Sequence, residues 1–113
     1  MISEERIIKN SELIEELFKS FPTYRLAGVT RMFDVIGPTY FSAPASTKVE
    51  YHSAFNGGLA HHSLNVVRYA KKLADSLCPG RWSDATLSFV GLFHDLGKVG
   101  DGVNPYYIAK ESD

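Results

Sequence analysis

Two short stretches of this 113-residue chain combine side chains that do chemistry together. The first is Phe89-Val90-Gly91-Leu92-Phe93-His94-Asp95-Leu96-Gly97-Lys98, where an adjacent His and Asp close an apolar segment, with a glycine and a lysine soon after. The second is Gly57-Gly58-Leu59-Ala60-His61-His62-Ser63-Leu64. Setting a histidine and a carboxylate among Phe, Val and Leu is costly unless something compensates them. A metal ion does so by accepting both side chains as ligands and cancelling the charge. The ligand set expected is His62, His94 and Asp95. Mixed nitrogen and oxygen ligation suits Mn, Fe, Co, Ni or Zn better than Ca or Mg alone, and the expected cofactor is a divalent ion from the set Mn, Fe, Co, Ni, Zn and Mg. With coordination positions left open, such an ion polarises a phosphoryl oxygen and makes a nucleophile of water. Lys98 then meets a phosphate oxygen as a point charge. His52 and His61 are candidates for a second ion, for phosphate contact, or for protonating a leaving oxygen.

Helices must position these groups. From Gly58 onward Leu59, His62, Val66, Tyr69, Leu73 and Leu77 recur at three and four residues, opposite Asn65, Arg68, Lys71, Lys72 and Asp75. That period predicts a helix with His62 on its buried face and His61 about 100° away, toward the side or the cleft mouth. Cys78-Pro79-Gly80 breaks it. Ser83 or Asp84 caps the next helix, which presents Leu87, Val90, Gly91 and His94 on one face. Gly91 allows close approach of a neighbouring helix, and Gly97 is expected as the C-terminal cap, with Asp95 in the final turn. His94 and Asp95 diverge by about 100° on an ideal helix, so they reach one ion only near the helix end, where the backbone relaxes.

Upstream, Ile7, Ile14, Leu17, Phe18 and Phe21 mark one helical face between about Ser3 and Phe21, and Asn10-Ser11-Glu12 offers a fresh helix start within it. Pro22 stops that segment. Tyr24 to Ile36 carries a second stripe, Leu26, Val29, Met32, Phe33 and Ile36, which Gly37-Pro38 is expected to end, leaving Thr39 to about Lys48 irregular. After Lys98 the chain loosens, with a short turn at Tyr106 to Lys110. No alternating strand pattern persists, and the fold class expected is all-α.

Composition excludes several classes of protein. At 44% hydrophobic and 12% aromatic the chain can bury a core, so global disorder is excluded. Lys+Arg 12 against Asp+Glu 13 gives a net charge of −1 and no basic footprint for nucleic acid or a membrane surface. Cys78 is the only cysteine, which rules out an intrachain disulfide and a thiolate cluster and suits a reducing cytosol. The N-terminus is polar and no apolar run approaches the length of a bilayer span. A soluble, cytoplasmic protein is expected.

The combination Gly57-Gly58-Leu59, His62-Ser63-Leu64 and His94-Asp95-Leu96-Gly97-Lys98 resembles the HD superfamily of metal-dependent phosphohydrolases. The longer run that adds Ala43-Pro44-Ala45-Ser46 and Tyr51-His52-Ser53-Ala54-Phe55 looks like the branch that includes certain exoribonucleases and relaxase-associated domains. The likeness covers about Ala43 to Gly102. It implies an all-helical, HD-domain-like bundle over residues 1–113, divided into an N-terminal helical segment (1–42), a motif core (43–102) and a tail (103–113). It also implies His62 as first metal ligand, His94 and Asp95 as the paired ligands, Lys98 at the phosphate and His52 at the lip of the site. The family's fourth ligand is an aspartate on a helix well downstream, where this chain offers only Asp101 and Asp113. The resemblance therefore implies a bundle lacking its C-terminal helices, which should expose an apolar patch and favour a homo-oligomer.

The leading expectation is hydrolysis of a nucleotide or related phosphate ester, with catalytic roles for Asp95 and Lys98 and substrate contacts from His52, His61 and Lys98. The alternatives are a non-catalytic helical metal- or nucleotide-binding regulatory module, and a nuclease or phosphodiesterase of the same type. Near-neutral charge favours a small nucleotide over a polymer, and no membrane partner is indicated.

Overall fold

The computed structural model describes residues 2–44 and 56–99 of the chain. His52, Asp101, Asp113 and the turn expected at Tyr106 to Lys110 lie outside them. The described residues form four α-helices, α1 (Glu4–Phe18), α2 (Thr23–Ser42), α3 (Gly58–Leu77) and α4 (Asp84–Phe93), and a short 3₁₀ helix (Leu96–Val99), with no strand among them. The all-α expectation holds. Among the described residues no helix is long and apolar enough to cross a membrane.

α1 begins where Ser3 Oγ accepts the Arg6 amide at 3.1 Å, and Glu4 and Glu5 complement the positive end of the helix. It does not restart at Asn10-Ser11-Glu12. Ser11 Oγ donates back to the Ile8 carbonyl at 2.7 Å, so its hydroxyl is satisfied inside the helix, and Asn10 is turned into the core at 2% exposure. Beyond Phe18 the amides of Lys19, Ser20 and Phe21 each bond back three residues, which tightens the chain before Pro22.

Gly37-Pro38 does not end α2, contrary to the sequence reading, and the helix runs on to Ser42. Proline inside a helix costs about 3 kcal/mol through its missing N–H and its ring. Tertiary contacts on the next turn oppose that cost. Tyr40 is fully buried and donates its hydroxyl to the Leu92 carbonyl at 2.6 Å, and Ser42 Oγ donates to the Pro38 carbonyl at 2.8 Å. The core holds Ile14, Phe18, Tyr40, Leu59 and Leu92, with Phe33 stacked against Phe18, Tyr40 and Phe93.

Gly57 starts α3 with φ +80°, and a Cβ there would sit 2.6 Å from Ile7 Cγ1. Glycine is required by both facts. The start of α3 is tied to the end of α2 by the Gly57 amide on the Ser42 carbonyl and the Leu59 amide on the Ala43 carbonyl, both 2.8 Å. The buried face of α3 differs from the stripe expected. Leu59, Ala60, Ser63, Leu64 and Val67 are buried, whereas Tyr69, Leu73 and Leu77 are 63%, 60% and 78% exposed. Close packing decides the rotation. Gly91 of α4 lies so near α3 that a Cβ would meet Val67 Cγ2 at 2.6 Å and the Val67 backbone at 3.1 Å. Val67 therefore faces this seam, and Tyr69, Leu73 and Leu77 lie on the outward side of α3.

Ser83 caps α4, accepting the Thr86 amide at 3.1 Å. The helix stops at Phe93 with His94 as its cap, so Gly97 is not the cap expected and instead lies inside the 3₁₀ helix. Val90, expected on the buried face, is 60% exposed, while Ser88, Gly91 and Leu92 are buried.

The Gly91 contact yields a paired prediction. Gly91→Ala overpacks the α3–α4 seam and lowers stability by about 1–3 kcal/mol, whereas Gly28→Ala, with nothing within 4 Å of the added carbon, raises it by about 0.5–1 kcal/mol. Urea unfolding of the two variants measures both.

Candidate metal centre

α3 and α4 run antiparallel, with Val67 against Gly91 and His62 near Asp95. This brings the second turn of α3 to the end of α4. His94 caps α4 and Asp95 is the first residue off the helix, so the chain turns between them and their side chains converge. A backbone bond from the Lys98 amide to the Asp95 carbonyl, 3.0 Å, then folds the 3₁₀ helix back over the same point.

One atom lies at the centre of the cluster. Asp95 Oδ2 is 3.1 Å from His94 Nε2, 3.6 Å from His62 Nε2 and 3.4 Å from Lys98 Nζ. The four side chains are 20% to 31% exposed, and the two imidazoles are tilted with centroids 5.4 Å apart. Ligand atoms from His62, His94 and Asp95 all lie within 4.8 Å of one another.

The hydrogen bonding of His94 makes this a fit for a cation. His94 Nδ1 is 2.8 Å from the Gly91 carbonyl, a pure acceptor, so Nδ1 carries the proton and donates. With Nδ1 protonated, Nε2 faces a carboxylate oxygen at 3.1 Å, a contact that calls for positive charge between them, from a proton or a metal ion. A backbone carbonyl behind the distal nitrogen is also the way metal-ligating histidines are oriented. Ligand atoms bound at about 2.1 Å stand about 3.4 Å apart around a tetrahedral ion, and 3.1 and 3.6 Å straddle that edge. The donor set of two imidazoles and a carboxylate fits a divalent first-row ion.

His61 is oriented elsewhere. Its Nδ1 is 3.1 Å from Asn10 Nδ2, so Asn10 donates and α3 is pinned to α1 one residue before His62. Burial, reinforced by the charges of Arg6 and Arg68, holds His61 below the usual histidine value and favours its neutral form. Lys98, expected at a phosphate, lies with its Nζ 3.4 Å from Asp95 Oδ2.

Two residues of the site's frame escaped the sequence reading. Tyr40 anchors α2 to the last turn of α4 through the Leu92 carbonyl, and burial pushes its hydroxyl far above the usual tyrosine value, with the Asp95 charge acting in the same direction. Its position after Gly37-Pro38 hid it. Asn10 reads as part of a polar helix face, and only its partner reveals its place inside.

Comparison of the chain with family models, curated proteins and solved structures found no match.

A divalent ion that binds this cluster stabilises the fold by linkage, by about 2.7 kcal/mol at a hundred times its dissociation constant. Thermal unfolding with added Mn, Co, Ni or Zn should therefore shift upward by several degrees, and Asp95→Asn should abolish the shift. Equal shifts in both proteins would place the ion elsewhere.

Proposed function

We propose that this protein is a metal-dependent phosphohydrolase acting on a nucleotide or a related small phosphate ester. The observation that carries this reading is the convergence of two imidazole nitrogens and an ammonium on Asp95 Oδ2. The likeness of the His62 and His94-Asp95 motifs to the HD superfamily supports it. A divalent ion held by His62, His94 and Asp95 supplies Lewis-acid chemistry, polarising a phosphoryl oxygen and acidifying water.

The remaining work falls to the chain itself. His94 is held in one tautomer by the Gly91 carbonyl, so its Nε2 stays available as a ligand. His62 approaches from α3 and fixes the centre between two helices, where the Gly91–Val67 contact sets their spacing. Lys98 is fixed beside Asp95 by the 3₁₀ turn, within reach of an oxygen on which negative charge develops during displacement at phosphorus. The balanced charge of the chain favours a small substrate over a polymer, since long nucleic acids draw on many cationic contacts. The single cysteine, Cys78, suits a reducing cytoplasm.

The test is a hydrolysis screen over nucleoside mono-, di- and triphosphates with added Mn, Co, Ni or Mg. Turnover should appear with at least one ion and vanish in the His94→Ala, Asp95→Ala double variant. Lys98→Met should lower kcat by about a hundredfold, as loss of one transition-state donor does. Activity retained in the double variant would contradict the reading, and ion binding without turnover would assign the site to a regulatory module.

A further inference from the structure

The groove between α1 and α2 is a second candidate site, sharing no residue with the metal cluster. Its volume is about 490 Å³, within the range of small-molecule sites. Phe18, Phe33 and Phe41 form its apolar lining, and among the described residues Glu15 of α1 and Asp34 of α2 supply its only charges, one from each wall. Neighbouring acids on α1 are neutralised, Glu12 by Lys9 and Glu16 by Lys19. Among the described residues neither Glu15 nor Asp34 has an ion-pair partner.

The groove is rich in acceptors. Thr30 adds a hydroxyl, and Pro38, which also lines the groove, brings no N–H to the Asp34 carbonyl. Among the described residues the lining contains no lysine, arginine or histidine. Phenyl faces carry negative potential, so the apolar walls add to the preference for positive charge. Phe33 is locked by ring contacts to Phe18 at 5.1 Å, Phe41 at 5.6 Å and Phe93 at 5.9 Å, which gives a ligand a preformed wall. We infer that this groove binds a small organic cation with an apolar body, of the arylalkylammonium class, its ammonium between Glu15 and Asp34 and its apolar part against the phenylalanines.

The experiment is a titration of the full chain with phenethylammonium, followed by NMR, beside the neutral phenethyl alcohol and the anionic phenylpropionate. Saturable shifts are expected around Phe33, Phe41 and Asp34, with the neutral and anionic probes about tenfold weaker or worse. Glu15→Gln with Asp34→Asn should weaken the cation about tenfold. Thr30→Arg should do the same by setting a tethered guanidinium at the rim. All three positions are exposed, so the fold tolerates these changes. Equal binding of the neutral probe, undiminished binding in either variant, or shifts confined to other surfaces would overturn the assignment. No metal is needed, so this outcome is independent of the hydrolase reading.

Discussion

A carboxylate oxygen shared by two imidazole nitrogens and an ammonium is the constraint on which this structure turns. Asp95 Oδ2 gathers groups from α3, from the cap of α4 and from the 3₁₀ helix. Only His62 is distant in sequence; His94, Asp95 and Lys98 share one five-residue stretch, in which adjacent side chains would diverge on a continuous helix. The helix must end at Phe93 for His94 and Asp95 to act as a pair. Their partly buried position costs solvation that positive charge has to offset.

The rest of the fold holds that arrangement in place. Gly91 admits the Val67 backbone, which sets α3 against α4 closely enough for His62 to reach Asp95. Tyr40 ties α2 to the Leu92 carbonyl, one turn from the site, and the Asn10–His61 contact fixes the first turns of α3 on α1. Gly57 and the carbonyls of Ser42 and Ala43 settle where α3 begins. Each tie acts within a turn or two of His62, His94 or Asp95.

Much of this was legible in the sequence, for identifiable reasons. The helical period from Gly58 to Leu77 and the Ser83 cap are local signals, and local signals gave α3 and the start of α4. The trio His62, His94 and Asp95 was found from residue type and spacing. Errors arose where tertiary contacts overrode local rules. Pro38 is a helix breaker by intrinsic preference, yet α2 continues because Tyr40 and its neighbours pack beyond it. The stripe of Tyr69, Leu73 and Leu77 has the period of a buried face, but the face of α3 that meets Gly91 carries Val67, and the stripe is left exposed. Gly97 looked like a cap because glycine often is one, whereas the turn after His94 ended α4 sooner.

Elemental analysis decides whether His62, His94 and Asp95 hold a metal ion. The purified chain, equilibrated with each of Mn, Fe, Co, Ni and Zn and freed of excess, should retain about one divalent first-row ion per molecule. A chain that retains none of these ions would contradict the account, for the Asp95 cluster would then be balanced by protons and Lys98 alone.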